Sequence, residues 1–280
     1  MRHVFGATLA VSVGVALAFL LIPLVAIFLR VPPGTLIDQL GSDAAVDALL
    51  VTLKTSVIAN AIILLVGTPA AYFLASRRFR GRPLVITLIE LPLVLPPAVA
   101  GIGLLAAFGR FGLLGDELGF FGISLPFTQA AVVLAVIFVA SPFYLRQAIA
   151  AFEAVDPNMI SAARTLGARP WRAFWRVALP LAASGLAAGW ALAFARGVGE
   201  FGATIIFAGS FQGVTQTLPL AIYAQFEQDF DTALAIGAML IVFSAGLLLA
   251  VKVVPSWTRL SSLSTSVFRA GPSRSRLPSA

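Results

Sequence analysis

Six long apolar stretches constrain the fold of this chain more than any other feature of its sequence. A helix that crosses the hydrocarbon core of a bilayer needs roughly 20 mostly apolar residues. Of the 280 residues, 59% are hydrophobic and only 11% are charged, whereas about 25% of a typical soluble domain is charged. We therefore predict an all-α integral membrane protein, which excludes a soluble enzyme, a disordered chain and a nucleic-acid-binding domain. The predicted spans are residues 6–29, 48–75, 84–107, 128–150, 178–208 and 232–254.

The basic residues between these spans predict how the helices are oriented. Loops 76–83 and 151–177 carry four arginines each, and the C-terminal segment carries one lysine and four arginines. The intervening loops are acidic, and Arg110 is their only clear basic residue. Because short cytoplasmic loops are enriched in Lys and Arg, we predict that both termini and the two arginine-rich loops are cytoplasmic. The membrane thus accounts for the net charge of +7 without nucleic acid as a partner.

The chain divides into three predicted regions. Residues 1–47 contain an N-terminal transmembrane helix and the first periplasmic loop, since the apolar run after Arg2 and His3 is too long for a cleaved signal peptide. Residues 48–254 form the membrane core together with its cytoplasmic loop. Residues 255–280 are rich in Ser, Pro and Arg and are expected to form a polar, disordered tail.

Loop 151–177 has the clearest local signals of secondary structure. Asp156 followed by Pro157 predicts the start of a helix, because Asp caps free amides and Pro suits the first helical position. Gly167 is well placed to end this helix in the left-handed conformation. Small side chains on the helix would let another protein approach its backbone closely. The helix is predicted to run through Ser161, with Ala162, Ala163 and Leu166 on one face at helical spacing.

A second short helix is predicted to begin at Pro170. Its arginines and tryptophans form a combination that is typical of a helix in the headgroup region of a membrane. We expect the next span to open separately at Leu179-Pro180. The basic and aromatic residues of the short helix are Arg169, Arg172, Arg176, Trp171 and Trp175.

The spacing of this loop resembles the E-A-A loop of ABC importer permeases. The family pattern is followed by Ser161-Ala162-Ala163, three further residues, Gly167, nine further residues and Val177-Ala178-Leu179-Pro180. Ser161 stands where the family has Glu, and Val177 stands where it has Ile. The resemblance implies a coupling helix that docks on a cytoplasmic ATPase subunit. The missing carboxylate removes any salt bridge that the family's Glu would make there. An ordinary pair of interfacial helices is the alternative.

Five further segments resemble the molybdate permeases of this family. The resemblance implies a type I importer fold with six transmembrane helices and a homodimer with the translocation path between its subunits. It also implies two copies of an ATPase and a periplasmic or lipid-anchored oxyanion-binding protein at the cytoplasmic membrane, with molybdate or tungstate as substrate. Sulfate and thiosulfate permeases share the Gly-Glu-Phe-Gly segment and are the alternative. The five segments begin at Leu91, Phe108, Ser141, Gly199 and Thr215.

Arg196 and Glu200 lie one helical turn apart inside a predicted span, where ionisable groups are costly and usually face a pathway or each other. Four glycines between residues 197 and 209 permit close helix contact or a broken helix. The pair either belongs to a translocation pathway or gate, or neutralises itself to stabilise packing. On a pathway, Glu200 would orient Arg196 or hold a gate, because a carboxylate alone would repel an oxyanion.

Neutral hydrogen-bond donors follow this pair in the sequence. Hydroxyl and amide groups suit the weak, transient contacts that a passing tetrahedral oxyanion needs. Selectivity would then lie mainly in the external binding protein, as the family resemblance implies. Ordinary loop and helix-cap roles are the alternative. The donors are Thr204, Thr215, Gln216 and Thr217.

Several kinds of chemistry are missing from the sequence. It has no Gly-rich phosphate-binding loop with Lys-Ser/Thr, so ATP and Mg²⁺ are expected in the partner ATPase and this chain is expected to be neither an enzyme nor a cofactor protein. The sole histidine is His3 and cysteine is absent, so we predict no catalytic residue and no metal site. A secondary transporter or channel that works without an ATPase is the alternative from a different class.

Overall fold

The computed structural model describes residues 2–246 and 249, and this part of the chain contains helices and no strand. The all-α prediction is therefore confirmed for these residues. The predicted polar tail, 255–280, lies outside them. The helices are α1 (Arg2–Arg30), α2 (Pro33–Leu40), α3 (Asp43–Ser76), α4 (Arg82–Val94), α5 (Pro97–Phe108), α6 (Gly115–Phe120), α7 (Gln129–Glu153), α8 (Pro157–Thr165), α9 (Pro170–Ala173), α10 (Leu179–Val198), α11 (Gly202–Ala208), α12 (Leu218–Phe226) and α13 (Phe230–Gly246).

Four helical segments are long and apolar enough to cross a membrane, namely most of α1, α3, α7 and the continuous stretch Pro170–Val198. Helices α4 and α5 pass the same test together as a bent pair, which gives up to five spans in the described part of the chain. The sixth predicted span, 232–254, begins in α13 and continues past the described residues. The number of six spans and the cytoplasmic position of the termini therefore stay predictions.

Helix α7 is the centre of the bundle and packs against α3, α4, α5, α10 and α11. Small residues let its neighbours approach closely: an added Cβ at Gly67 would come 3.0 Å from the ring of Tyr144, and one at Gly189 would come 2.9 Å from Cβ of Gln147. The hydroxyls of Thr68 and Tyr144 lie 2.6 Å apart and join α3 to α7. Lipid tails are as apolar as the helix side chains, so the hydrophobic effect does not drive membrane helices together. Close packing and interhelical hydrogen bonds hold them together instead.

The third apolar stretch, 84–107, is not one helix as predicted. It forms two helices, α4 and α5, which meet at a bend of 114°. Pro92 is tolerated inside α4, whereas Pro96 interrupts the helix by holding Leu95 in an extended conformation, with φ −72° and ψ 134°. A proline disfavours the helical conformation for the residue that precedes it. The prolines thus produce a complete break between two helices.

The fifth apolar stretch, predicted as residues 178–208, differs from the prediction at both ends. Its helix begins earlier, because α9 runs through a π-helical turn, Phe174–Ala178, directly into α10. The wider turn accommodates Pro180, which has no N–H and whose ring would clash with the carbonyl four residues back. Pro180 therefore lies inside a continuous helix and does not open the span. The helix ends at Val198, and α11 follows only after a break at residues 199–201.

The two arginine-rich loops lie at the same end of the bundle. Arg82, at the start of α4, forms an ion pair with Glu153, at the end of α7. At the opposite end, the N–H of Leu218 donates to Oγ1 of Thr52 in the early part of α3, at 2.8 Å. The loop charges predict that these two loops lie on the same side of the membrane. Their position at one end of the bundle agrees with that prediction.

Candidate functional site

Helix α8 lies at the arginine-rich end of the bundle and starts as predicted. Oδ1 of Asp156 accepts the N–H of Asn158 at 2.9 Å, and Pro157 occupies the first helical position. No residue of α8 is buried within the described chain, and Ala162 is among those exposed. Ser161, which stands where the permease pattern has Glu, donates its hydroxyl to the carbonyl of Pro157 at 2.9 Å. Its side chain therefore stays engaged with its own helix.

The end of α8 also follows the prediction. Gly167 has a φ of +87°, in the left-handed region that favours glycine. Its N–H donates to the carbonyl of Arg164 at 2.9 Å, and the N–H of Ala168 donates to Ala163 at 3.0 Å. This pair of bonds is the Schellman motif, which satisfies the last carbonyls of a helix. The result is a short helix, capped at both ends, with Arg164 exposed in its last turn and Leu166 exposed over 89% of its area at its C-terminal cap.

The segment 170–178, which follows α8, carries basic and aromatic groups on its exposed side. Trp171 and Trp175 are 69% and 48% exposed, and their rings meet edge to face with centroids 5.2 Å apart. The three predicted arginines are exposed too and have no ion pair within residues 2–246. Ala173 and Ala178 are buried and hold the opposite side against the bundle. This exposure agrees with a position at a membrane boundary.

Arg196 and Glu200 form an ion pair at the end of α10. Nη1 of Arg196 lies 2.7 Å from Oε2 of Glu200, and the side chain of Glu200 is 1% exposed against 28% for Arg196. This contact is electrostatic and lacks the alignment of a hydrogen bond. The other carboxylate oxygen of Glu200 accepts the N–H of Ala203 at 2.7 Å. One buried carboxylate therefore caps the start of α11 and contacts the last turn of α10, so that it bridges the helix break.

Helix α11 lies against α5 through two glycines. An added Cβ at Gly202 would come 2.7 Å from Cβ of Pro97, and one at Gly101 would come 2.9 Å from the carbonyl oxygen of Ala203. Thr204, the next residue of α11, is fully buried, and its hydroxyl has no hydrogen-bond partner in the described part of the chain. Buried polar groups without a partner are rare in folded proteins. Thr204 is therefore a candidate to contact a polar ligand.

The loop between α11 and α12 is folded around one carbonyl. The oxygen of Phe211 accepts the N–H groups of Val214 at 3.0 Å, of Thr215 at 2.8 Å and of Gln216 at 2.9 Å. The N–H of Phe211 in turn donates to Oγ1 of Thr215 at 3.0 Å, and Nε2 of Gln216 donates to the hydroxyl of Ser210 at 3.1 Å. Thr215 and Gln216 thus stabilise this loop. This matches the alternative raised from the sequence, in which these residues have ordinary loop roles.

Thr217 differs from these two residues, because its buried hydroxyl has no hydrogen-bond partner within the described residues. Its neighbour Leu218 donates its N–H to Thr52 of α3 at 2.8 Å. Thr52 begins a stripe of buried polar side chains that the sequence-based prediction missed. Their spacing of three, four and eight residues is helical, so the period of polar residues within this apolar span could have revealed them. The stripe consists of Thr52, Thr55, Ser56 and Asn60.

Asn60 is the member of this stripe with unused hydrogen-bonding capacity. Its Nδ2 donates to the carbonyl of Ser56 at 2.9 Å, whereas its Oδ1 is buried without a partner among the residues that the structure describes. The three other members of the stripe are also buried. Asn60, Thr204 and Thr217 therefore share one property, a buried polar oxygen with no partner in this part of the chain.

Residues 64–260 match the family described as the inner membrane component of binding-protein-dependent transport systems. The chain belongs to this family. It is therefore a multi-pass protein of the inner membrane, as predicted, and a permease subunit. The permease is 46% identical to the molybdenum transport system permease protein ModB of Mycobacterium bovis over 235 residues, which cover 84% of this chain and 89% of that protein.

Two other relatives extend this comparison. ModB of Escherichia coli K12 is 38% identical to the permease, over 77% of this chain and 94% of that protein. The sulfate transport system permease protein CysW of Synechocystis is 35% identical, over 80% of this chain and 82% of that protein. Relatives named for molybdenum transport and for sulfate transport thus both match most of the length of this permease.

Solved structures support the fold of the permease. A chain of the bacterial alginate ABC transporter, solved with its periplasmic protein bound to an alginate pentasaccharide, superimposes with a TM-score of 0.73 at 17% identity. The match covers 89% of this chain and 92% of that one. A chain of the MetNI methionine ABC transporter gives a TM-score of 0.59 at 18% identity, over 75% and 93% of the two chains. At these identities the likeness concerns the fold alone.

The predicted site residues of this permease are found in two places. The docking residues lie together on α8 and its C-terminal cap, whereas Arg196, Glu200 and Thr204 lie around the break between α10 and α11. The other predicted donors belong to the loop that follows α11. Within the described residues, no group of three or more His, Cys, Asp or Glu side chains could hold a metal ion.

Proposed function

We propose that this chain is the permease subunit of an ATP-driven importer that moves molybdate or tungstate into the cytoplasm. The observation that carries the proposal is its 46% identity with a ModB protein over 84% of the chain. The family match over residues 64–260 includes α8 and the break after α10. Molybdate and tungstate are both tetrahedral dianions of similar size, so one pathway serves either anion.

In this proposal α8 is the coupling helix and docks on a cytoplasmic ATPase, with one ATPase for each of two permease copies. The support is the form of α8, which is capped at both ends and has no residue buried against the described chain. Ala162 and Ala163 admit a partner close to the backbone, and Leu166 offers an apolar contact. Docking here uses shape and apolar surface, because Ser161 leaves no carboxylate for a salt bridge. ATP and Mg²⁺ bind to the ATPase, and this chain holds no cofactor.

The translocation path lies between the two copies of the permease, close to the break that Glu200 bridges. Glu200 is buried and already engaged with Ala203, so its role is to orient Arg196 and hold α11 in place. Arg196 remains 28% exposed and is the cation that an oxyanion meets. Because Glu200 partly neutralises Arg196, the arginine does not bind the anion tightly. Weak, short-lived contacts of this kind suit a passage.

Neutral donors complete this passage. The hydroxyls of Thr204 and Thr217 are buried and have no partner within residues 2–246, so they can donate to an oxygen of the anion when helix movement during transport uncovers them. Thr215 and Gln216 act indirectly, by shaping the loop that leads to Thr217. An external binding protein, periplasmic or lipid-anchored, captures the anion and supplies most of the selectivity.

A sulfate or thiosulfate importer is the second candidate, because a sulfate permease relative is 35% identical to this chain over 80% of its length. Sulfate is also a tetrahedral dianion, so the same donors fit it. The two candidates share their mechanism and differ only in the anion that the binding protein delivers.

Uptake of labelled molybdate tests the proposal. The permease is expressed with its ATPase and binding protein, and unlabelled tungstate and sulfate are added as competitors. We expect uptake that tungstate blocks and sulfate does not, and that an ATPase-inactive variant loses. Competition by sulfate would move the substrate to the second candidate. Uptake that persists without a working ATPase would contradict the ABC mechanism and indicate a secondary transporter or channel.

A further inference from the structure

Helix α4 is the least buried of the helices that flank α7. None of its residues is buried within the described chain, and large side chains such as Leu84 and Val94 are 64% and 78% exposed. Helix α5, on the other side of the 114° bend, has three buried residues and packs against the backbone of α11. Hydrophobic burial inside this chain therefore fixes α5 more firmly than α4, from which the partly buried Ile89 packs against the core.

Two ion pairs of opposite polarity attach α4 to α7. Arg82 pairs with Glu153, and Oε1 of Glu90 lies 3.6 Å from Nε of Arg146. The paired residues are eight positions apart on α4 and seven apart on α7, which is about two turns on each helix. The two helices are therefore antiparallel at this contact, and their charges alternate along it.

The alternation of charge specifies one register between the helices. A slide of α4 by two turns in one direction would bring Glu90 beside Glu153, and a slide in the other direction would bring Arg82 beside Arg146. Like charges that face each other repel, so both displaced registers are disfavoured. The ion pairs thus define the position of α4 where burial does not.

Arg82 connects this contact to two further parts of the chain. Its Nε donates to the carbonyl of Leu74 in the last turn of α3, at 2.8 Å. Its partner Glu153 ends α7 and lies three residues before Asp156, which caps the start of α8. One arginine therefore joins α3 and α4 to the end of α7, three residues before the cap of α8.

We propose that the two ion pairs make α4 move as one body with α7 and the base of α8, so that displacement of α8 reaches α5 and α11. This inference rests on the proposed function, in which an ATPase displaces α8. Arg82, Glu153, Glu90 and Arg146 are positioning residues in this inference: they act by placing the helices relative to one another. Through α5 and the glycines at Gly101 and Gly202, the movement arrives at the segment that carries Thr204.

Charge reversal at the Glu90–Arg146 pair tests the coupling. This pair is chosen because it makes no other hydrogen bond or ion pair in the described part of the chain. The assembled transporter is reconstituted in proteoliposomes, and anion uptake is measured per ATP hydrolysed. We expect Glu90→Arg and Arg146→Glu each to lower this ratio about 2- to 30-fold, and the double exchange to restore most of it. Arg80→Glu is the matched control, since Arg80 is exposed and forms no ion pair within residues 2–246.

A distance measurement on the permease alone tests the attachment of α4 directly. The chain contains no cysteine, so cysteines introduced at the exposed positions Leu88 and Ala150 are the only sites for spin labels. In lipid nanodiscs, with labelled permease diluted into unlabelled permease so that both labels lie on one copy, we expect a narrow distribution of distances between the two labels. Glu90→Arg should broaden it, and Glu90→Arg with Arg146→Glu should narrow it again. Size-exclusion chromatography checks that each variant is folded.

The two measurements separate this inference from the proposed function. An unchanged distance distribution in Glu90→Arg, or wild-type uptake per ATP in both single reversals, would overturn the positioning role. If the wild-type assembly takes up no anion in an ATPase-dependent way, the proposed function fails instead. In that case the label distances still decide whether the ion pairs hold α4.

Discussion

A methyl group at Gly101 would come 2.9 Å from the backbone oxygen of Ala203, which is closer than packed carbon and oxygen atoms approach. The two residues belong to α5 and α11, and each of these helices follows a helix break. At this point they meet with no side chain between them. The two short helices therefore behave as one unit, although they lie far apart in the sequence.

Gly101→Ala should destabilise this unit. The atoms that the new Cβ would meet belong to the backbone of α11 and to Cβ of Ile206, so they cannot move aside as the end of a flexible side chain would. Overpacking of this kind costs typically about 1–3 kcal/mol. We expect a lower thermal unfolding temperature for the purified permease in detergent.

Gly103→Ala is the matched control for this prediction. Gly103 lies on the same helix, and an added Cβ there meets no atom within 4 Å. An alanine in a helix interior is favoured over glycine by up to about 1 kcal/mol, so the control should be neutral or slightly stabilising. Equal unfolding temperatures for the two variants would contradict the close contact between α5 and α11.

Gly167→Ala should weaken docking of the ATPase without unfolding the permease. Gly167 has a φ of +87°, but an added Cβ would meet nothing within 4 Å, so conformational strain is the only penalty. The left-handed conformation costs an L-residue roughly 1–2 kcal/mol. We expect the strain to loosen the end of α8 and reduce co-purification of the ATPase.

Gly167→Asn is the comparison for that variant, because Asn accepts the left-handed conformation more readily than Ala. It should co-purify the ATPase nearly as well as the wild type does. If the Ala variant binds the ATPase as tightly as the Asn variant, the geometry of this cap is irrelevant to docking.

Glu200→Gln should impair transport while leaving the permease folded. The amide oxygen of Gln can still accept the N–H of Ala203, whereas the ion pair with Arg196 is lost. We expect uptake to fall about tenfold, which equals about 1.4 kcal/mol in the barrier. Glu227→Gln is the control, since Glu227 is exposed and has no ion pair in the described chain.

Glu200→Ala extends the test to the helix cap. It removes the acceptor for Ala203 as well, and loss of a cap typically costs about 1 kcal/mol of stability. This variant should therefore unfold at a lower temperature than Glu200→Gln. Wild-type uptake by Glu200→Gln would instead support a role in packing alone.

Asn60→Leu should raise stability and lower transport. Its Oδ1 is buried without a partner among residues 2–246, and an apolar replacement removes that unsatisfied acceptor. Relief of such a group is worth roughly 1–3 kcal/mol. If the polar stripe of α3 serves the passing anion, uptake should fall in the same variant. A variant with unchanged uptake would assign Asn60 to the structure of α3 only.

The sequence predicts features well where the signal and the structure involve the same few residues. The cap at Asp156 and the left-handed glycine at Gly167 are satisfied within one or two turns of α8, so local chemistry determines them. The long apolar helices are predictable for a similar reason, since their length and composition alone suit a bilayer. The polar residues at helical spacing on α3 are also a local signal, so the buried polar stripe could have been predicted in the same way.

Hydropathy did not predict the helix breaks, although the glycines between residues 197 and 209 left a broken helix open as one alternative for the second. Hydropathy describes how apolar a stretch is and carries no information about changes in the direction of the helix axis. Residues 84–107 and 178–208 were therefore each predicted as one span. Pro180 fits the local rule for a helix start, but the π-helical turn before it lets the helix continue. Arg82 and Glu153 are 71 residues apart, and only the fold brings them together.

The bend between α4 and α5 has a consequence for hydration. The carbonyls in the last turn of α4 have no helical N–H to accept, because the chain turns away by 114° after Val94. Pro96 and Pro97, which open α5, have no N–H of their own to offer. Lipid tails cannot replace these donors. Water or a polar group from outside these two helices therefore has to supply the donors at the bend.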